Sequence, residues 1–294
     1  MSDEALPHGS VAAGAAGPAR QVGRREVLRI RGGVRELRSD RLAGEAPLEI
    51  RAAGPRQAPV AVAITMRTPG DERDLAAGFL RTEGLIDGLD AIAGFEVADP
   101  AAAAQPDDTI LVRLTRPFDA STVAERHFVA TASCGICGKA SIDEVAVRCD
   151  PIPVGRPMVA VATILSLPDR MREAQAVFES TGGLHAAALF TRDGDLVALR
   201  EDVGRHNALD KLIGSALLAG ALPLNDRIVL VSGRVSFELV QKAAVAGVPV
   251  LCAISAPSDL AVEAADRLGV TVVGFVRGEG CNVYSHPERV PIER

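Results

Sequence analysis

Hydrophobic positions are patterned most clearly in the second half of the chain, where short unbroken apolar runs alternate with segments of helical period. Residues 184–191 and 196–200 read as two strands joined through Arg192-Asp193-Gly194, a hairpin turn. Residues 206–219 read as a helix closed by Gly220. Strand 228–231, helix 236–246, strand 248–254, helix 259–268 and strand 270–276 follow. Strands apolar along both faces and alternating with helices predict a sheet covered on two sides. This is a three-layer α/β domain in the order ββαβαβαβ, with right-handed crossovers expected. An amphipathic helix over 168–180, ended by Gly182-Gly183, precedes it.

The first half is less regular. Residues 1–22 are Ala, Gly, Pro and Ser with almost no period, which predicts a disordered tail. Eight arginines lie between Arg20 and Arg41, best read as a solvated edge strand and its approach rather than a binding arm. Residues 49–65 suit two strands around Ala53-Gly54-Pro55. Thr68-Pro-Gly-Asp-Glu announces a helix over 71–83, with Thr68 as cap, Pro69 in the first turn, and Leu75, Phe79 and Leu80 buried. Another strand is expected over 109–114. The domains are thus a smaller N-terminal α+β unit over 23–152 and the α/β unit over 153–294.

Composition narrows the classes. The 294 residues are 48% apolar and 24% charged, which excludes global disorder, and the length suits about two domains. Aromatics make up 3%, so Ala, Val, Leu and Ile must build the core. A net charge of −6 argues against a nucleic-acid partner. The longest apolar candidate, 243–256, is broken by Gly247 and Pro249 and is too short for a membrane span. The acidic opening Met-Ser-Asp-Glu is unlike a secretion signal, so a soluble cytoplasmic protein is expected.

Of five cysteines, Cys149, Cys252 and Cys281 are scattered singly, which is no disulfide framework. The other two stand in Ser133-Cys-Gly-Ile-Cys-Gly, after a strand-like 127–130. Thiols at i and i+3 can converge, and Lys139 would stabilise a thiolate. Gly135 and Gly138 leave Cys134 and Cys137 accessible. Such a pair could cycle as a disulfide, supply half a zinc site, or carry sulfane sulfur as a persulfide. Zinc would need Cys149 or His127 to complete its ligands, so no metal site is expected. A thioredoxin-like unit wants the pair at a helix start in a βαβ motif. Two inert buried thiols would not call for such glycine-rich flanks.

Polar clusters stand at the predicted strand ends, where α/β sheets bind ligands. Glu201-Asp202-Val-Gly204-Arg205-His206-Asn207 joins a strand to a helix. Capping by Asp202 or Asn207 would explain only part of it. Ser232-Gly-Arg234-Val-Ser236 is a strand–turn–helix element able to hold an anion, and Ser255-Ala-Pro-Ser258 repeats it. The loop Phe275-Val276-Arg277-Gly278-Glu279-Gly280 again suits phosphate. Together these turns suggest a nucleotide-like ligand with several phosphates. His185 stands at a strand start and is either a ligand residue or a hydrogen-bonded core histidine. Zinc nucleobase deaminases carry His-x-Glu, but two residues after His185 stands Ala187, and the Cys pair precedes the His. Deaminase chemistry is therefore excluded.

The Thr68-Pro-Gly-Asp-Glu segment resembles the FdhD family. So do Ser133-Cys-Gly-Ile-Cys-Gly, Thr181-Gly-Gly-Leu-His-Ala-Ala, Glu201-Asp-Val-Gly-Arg-His-Asn-Ala-Leu-Asp-Lys, Ser232-Gly-Arg-Val-Ser-Phe-Glu and Phe275…Asn282-Val-Tyr. The resemblance runs from about Arg25 to Arg289. It implies a sulfur carrier required for formate dehydrogenase activity. A cysteine desulfurase loads the Cys pair, with the persulfide on Cys134 and Cys137 as partner. The carrier then sulfurates the bis(molybdopterin guanine dinucleotide) molybdenum cofactor, for which GDP is a mimic. The resemblance further implies a cytidine-deaminase-like C-terminal domain, a homodimer, and a cofactor loop over Phe275–Gly280, joined by Ser232, Arg234, His185, His206 and Asn207. Many family members carry Arg at the position of Gly280 and an apolar residue at Cys281. A cofactor chaperone without sulfur cargo and a thiol–disulfide oxidoreductase are the rival readings.

Overall fold

The computed structural model describes residues 21–97, 108–118, 149–154 and 158–291. The Cys134–Cys137 segment with Lys139, the strand expected over 127–130 and the tail before residue 21 lie outside the described residues.

The alternating pattern of the second half folds into one six-stranded sheet. Its strands are β7 (His185–Phe190), β8 (Leu196–Asp202), β9 (Ile228–Val231), β10 (Val250–Ala253), β11 (Thr271–Arg277) and β12 (Gly280–Val283), in the order β12-β11-β10-β9-β7-β8. β9, β10 and β11 are parallel, while β7 and β12 run against their neighbours. Helices α4 (Arg205–Leu218), α5 (Phe237–Val245) and α6 (Asp259–Leu268) cover one face, and α2 (Val161–Ala174) covers the other. Strand β9 shows why. All four of its residues are buried; Val229 and Val231 join the core under α4–α6, and Ile228 and Leu230 the core under α2. The side-chain period of two sends alternate residues to opposite faces, so a strand covered twice must be apolar throughout.

Two expectations in this half need correction. The helix expected over 168–180 is two helices, α2 and the short α3 (Ala176–Thr181), broken at Gln175, and Pro168 lies inside α2. Ile164, Leu167 and Met171 form a stripe with no exposure at all. Three such burials at about 1.5–3 kcal/mol each outweigh the roughly 3 kcal/mol cost of an interior proline. Beyond Arg277 the chain does not leave as an open loop. It turns at Gly278-Glu279 and returns as β12, with Arg277 paired to Gly280 and Gly278 at φ 55°.

In the first half, β3 (Ala46–Ala53), β4 (Val60–Arg67), β5 (Ile92–Val97) and β6 (Thr109–Leu114) form a sheet in the order β4-β3-β6-β5. The strands expected over 49–65 and 109–114 are present, and helix α1 (Glu72–Thr82) buries Leu75 and Leu80 as expected. Its start differs from expectation. Asp71 is the N-cap, at φ 58°, and Pro69 precedes the helix. Thr68 instead accepts from the Val203 amide at 3.1 Å and donates its own amide to Asp202 at 3.0 Å. A tertiary partner outcompeted the local cap. The arginine-rich stretch forms an exposed ribbon, β1 (Val22–Arg31) and β2 (Val34–Ala43), reversed at Gly32-Gly33, both at positive φ.

Helix α1 lies between its own sheet and α4. Leu217 of α4 joins the core formed by Leu75, Leu80 and the four-stranded sheet. The crossing is at glycines. A Cβ on Gly78 would overlap the Asp210 carbonyl, and one on Gly214 the Asp74 carbonyl. In an uncrowded helix Gly214→Ala would gain about 1 kcal/mol of helix propensity. Here the expected result is a loss of about 1–3 kcal/mol, because the added methyl forces the helices apart. Urea unfolding of the variant checks the sign, and increased stability would contradict so close an approach.

Candidate functional site at the sheet edge

The strand directions bring most of the polar turns to one edge. β8, β9, β10 and β11 end there, and β7 and β12 begin there. His185 pairs with Asp202 across β7 and β8. Ser232 donates its amide to the Ala186 carbonyl at 3.0 Å, and its hydroxyl accepts from the Ala186 amide at 2.9 Å. Phe275 donates to the Ser255 carbonyl at 3.1 Å, and Val235 bridges Pro257. Residues as far apart in sequence as His185 and Arg277 therefore belong to one rim.

Arg234 and Arg277 are exposed on this rim, as are Gly278, Glu279 and Gly280. The Arg277 guanidinium lies 5.5 Å from the Phe275 ring centroid. Phe275 holds φ 53°, a left-handed conformation costly for a bulky residue, where the register of β11 against β12 shifts. Val276, by contrast, is fully buried in the core under α2 and offers no side chain to a ligand.

His206 meets Glu238 Oε2 at 2.8 Å and Ser236 Oγ at 3.2 Å, both through Nε2. A serine–histidine–acid relay needs one partner on each ring nitrogen. This trio therefore does not activate a nucleophile. His185 is half-buried. Burial pulls its imidazole below the ordinary range, Arg205 and His206 act in the same direction, and Asp202 opposes them.

The Glu201–Lys211 block divides between the rim and the seam behind it. Asp202, fully buried, accepts from the amides of Thr68 (3.0 Å) and Gly204 (2.8 Å), from Asn207 Nδ2 (3.1 Å) and from Lys211 Nζ (2.7 Å). Asn207 also donates to the Met66 carbonyl at 2.8 Å, and its Oδ1 accepts from Thr65 at 3.2 Å. The amide of Asn207 is thus engaged in joining α4 to β4. Glu201 accepts from the Val177 and Phe178 amides and so caps α3. The N-cap of α4 is Gly204, neither Asp202 nor Asn207. Its peptide N–H is held by Asp202, so the carboxylate supports the cap from two residues away.

A second buried network joins Asp210, the tenth residue of the Glu201–Lys211 block, to residues that no motif had linked to it. Lys242 Nζ lies 2.9 Å from both Asp210 oxygens, 2.9 Å from Thr82 Oγ1 and 3.1 Å from Glu83 Oε1. Burial alone would lower the Lys242 pKa, but Asp210 and Glu83 raise it above the usual lysine range. The one sequence signal was a lysine within the apolar face of α5.

Burial pushes up the thiols of Cys149, Cys252 and Cys281, and Cys281 raises Cys252 further. Among the described residues no three His, Cys, Asp or Glu side chains converge as a metal would need. Nor is any described helix long and apolar enough to cross a membrane.

The profile of the FdhD/NarQ family matches residues 43–291. The chain is 49% identical over 277 residues to the sulfur carrier protein FdhD of Streptomyces avermitilis, covering 92% of this chain and 95% of that one. It is 42% identical over 271 residues to the sulfur carrier protein FdhD of Sulfurisphaera tokodaii, with 92% and 99% covered. The crystal structure of a protein from Desulfotalea psychrophila, described as a candidate formate dehydrogenase accessory protein, superposes with a TM-score of 0.68. Sequence identity there is 26%, with 92% of this chain and 100% of that one covered. Matched by the profile from the end of its basic ribbon to the last described residue, and by relatives over nearly their whole length, the chain belongs to the FdhD/NarQ family.

Proposed function

We propose that the chain is a cytoplasmic, homodimeric sulfur carrier serving formate dehydrogenase, and that its sheet edge binds bis(molybdopterin guanine dinucleotide) molybdenum cofactor as substrate. Relatives named sulfur carrier protein FdhD support the carrier role. The convergence of the polar turns on one rim carries the cofactor reading, since that rim can meet several phosphates of one ligand.

In this reading the Cys134 thiolate attacks the terminal sulfur of a desulfurase persulfide. The desulfurase cysteine leaves as a thiolate, and Cys134 becomes Cys-S-SH with no net oxidation. For delivery, the Cys137 thiolate attacks Cys134 Sγ and the sulfur–sulfur bond breaks. Sulfide leaves toward the metal, and the Cys134–Cys137 disulfide is reopened by a cellular dithiol. The α/β unit fits a cytidine-deaminase-like domain without deaminase chemistry. Ala187, two residues after His185, is fully buried under α4–α6.

Incubation with a cysteine desulfurase and cysteine tests the carrier role. Intact mass rises by one sulfur for a carrier and stays unchanged for a chaperone or an oxidoreductase. For the rim, Arg277→Ala is expected to weaken GDP binding by about 1.5–3 kcal/mol, the worth of a charge-assisted contact. Calorimetry giving equal affinities would remove Arg277 from the site.

A further inference from the structure

We infer that Arg205 is the anion-holding residue of the sheet edge, its guanidinium directed to a diphosphate, with His185 beside it. The inference rests on the reading of that edge as a guanine-dinucleotide site, and it adds a residue to the expected cofactor loop and its companions Ser232, Arg234, His185, His206 and Asn207.

Arg205 is the first residue of α4, directly after the N-cap Gly204. Its Nε is buried and has no hydrogen-bond partner among the described residues. A desolvated donor left unpaired is destabilising, and such groups in native proteins call for an explanation. The neighbouring carboxylates do not supply a partner. Asp202 is taken by four donors, Glu201 by the α3 amides, and Glu238 by His206. Among the described residues Arg205 forms no ion pair.

Placement points the same way. A Cβ on Gly233, in the turn between β9 and α5, would lie 3.3 Å from His185 Nδ1 and 3.5 Å from Arg205 Cδ. The bare glycine thus lets the histidine and the arginine stem lie against the turn, on the rim. Helix α4 starts here at Gly204, with no acidic residue in its first turn, and presents its positive end, whereas the first turn of α5 carries Glu238. A planar guanidinium can take two diphosphate oxygens at once. Arg205 is half-buried, unlike the exposed Arg234 and Arg277. The groups acting on the His185 ring are Arg205, His206 and Asp202. A diphosphate on Arg205 would offset its charge and make His185 easier to protonate.

The test is calorimetry of the full chain and of Arg205→Gln and Arg205→Lys with GDP, guanosine and inorganic pyrophosphate, beside NMR titration of His185. Arg205→Gln is expected to weaken GDP and pyrophosphate at least tenfold and leave guanosine unchanged, with Arg205→Lys recovering part of the loss. In the wild type GDP should raise the His185 pKa. In Arg205→Gln that pKa should already be raised, and GDP should add little. Should Arg205→Gln fail to fold, Arg205→Lys decides, since its lost fork should still cost GDP affinity about threefold. Unchanged GDP and pyrophosphate affinity in a folded variant overturns the inference. If the wild type binds pyrophosphate through Arg205 but not GDP, the dinucleotide reading falls and the anion role stands. If it binds neither, both fall.

Discussion

Replacing Cys134 with alanine will abolish sulfur loading and the activation of formate dehydrogenase. The described thiols are the less favoured acceptors, because burial raises the pKa of Cys149, Cys252 and Cys281. The proposed carrier role assigns loading to the close pair. The contrast with Cys137→Ala is the sharper measurement. A single thiolate suffices to accept a sulfane sulfur, so Cys137→Ala should load and then retain its persulfide, having lost the thiol that expels sulfide. Intact mass after incubation with a desulfurase and cysteine should show no added sulfur on Cys134→Ala. It should show a persistent one on Cys137→Ala. Wild-type loading of Cys134→Ala would move the persulfide to Cys137.

Lys242→Met will cost about 3–5 kcal/mol of stability, the usual result of removing one partner from a buried ion pair. The side chains of Lys242 and Asp210 are 5% and 2% exposed, and Glu83 also loses its cation. Methionine approximates the volume of lysine, so the loss reports charge rather than a cavity. The pH dependence identifies the cause. Burial already pushes the Asp210 carboxyl up, with Lys242 pulling it back. Without the lysine, its folded-state pKa rises further above the unfolded value. The folded variant then binds more protons than the unfolded chain, and stability increases as pH falls through that folded-state pKa. The deficit against wild type should shrink on acidification in denaturant melts. A deficit independent of pH would assign it to packing.

The alternation of apolar strands and helical periods over 184–277 was enough to place β7 to β11 and the helices between them within a few residues, but not β12. Burial on both faces demands continuous apolar strands, and that demand is local. Short turns rich in Ser, Gly and Arg after those strands were likewise visible, as was the isolated Cys pair. The same local reading took Pro168 for a helix start and residues 275–280 for an open loop. In the fold a buried stripe carries α2 through the proline, and β11 finds a pairing partner in β12.

The division of the Glu201–Lys211 block was not legible at all. Its residues look alike along the chain, yet Asn207 and Lys211 bond to Thr65, Met66 and Thr68, and Asp202 to Thr68, all more than a hundred positions away. Arg205 and His206 remain at the rim. Periodicity states which face of an element is buried but not what lies against it. The crossing of α1 and α4 at Gly78 and Gly214, and with it the seam that claims those polar side chains, follows from contacts between distant segments. Local chemistry decided which residues could bind an anion. Tertiary packing decided which of them were spent on holding the two sheets together and which stayed at the rim, because a buried polar group must find its partner wherever the fold brings one.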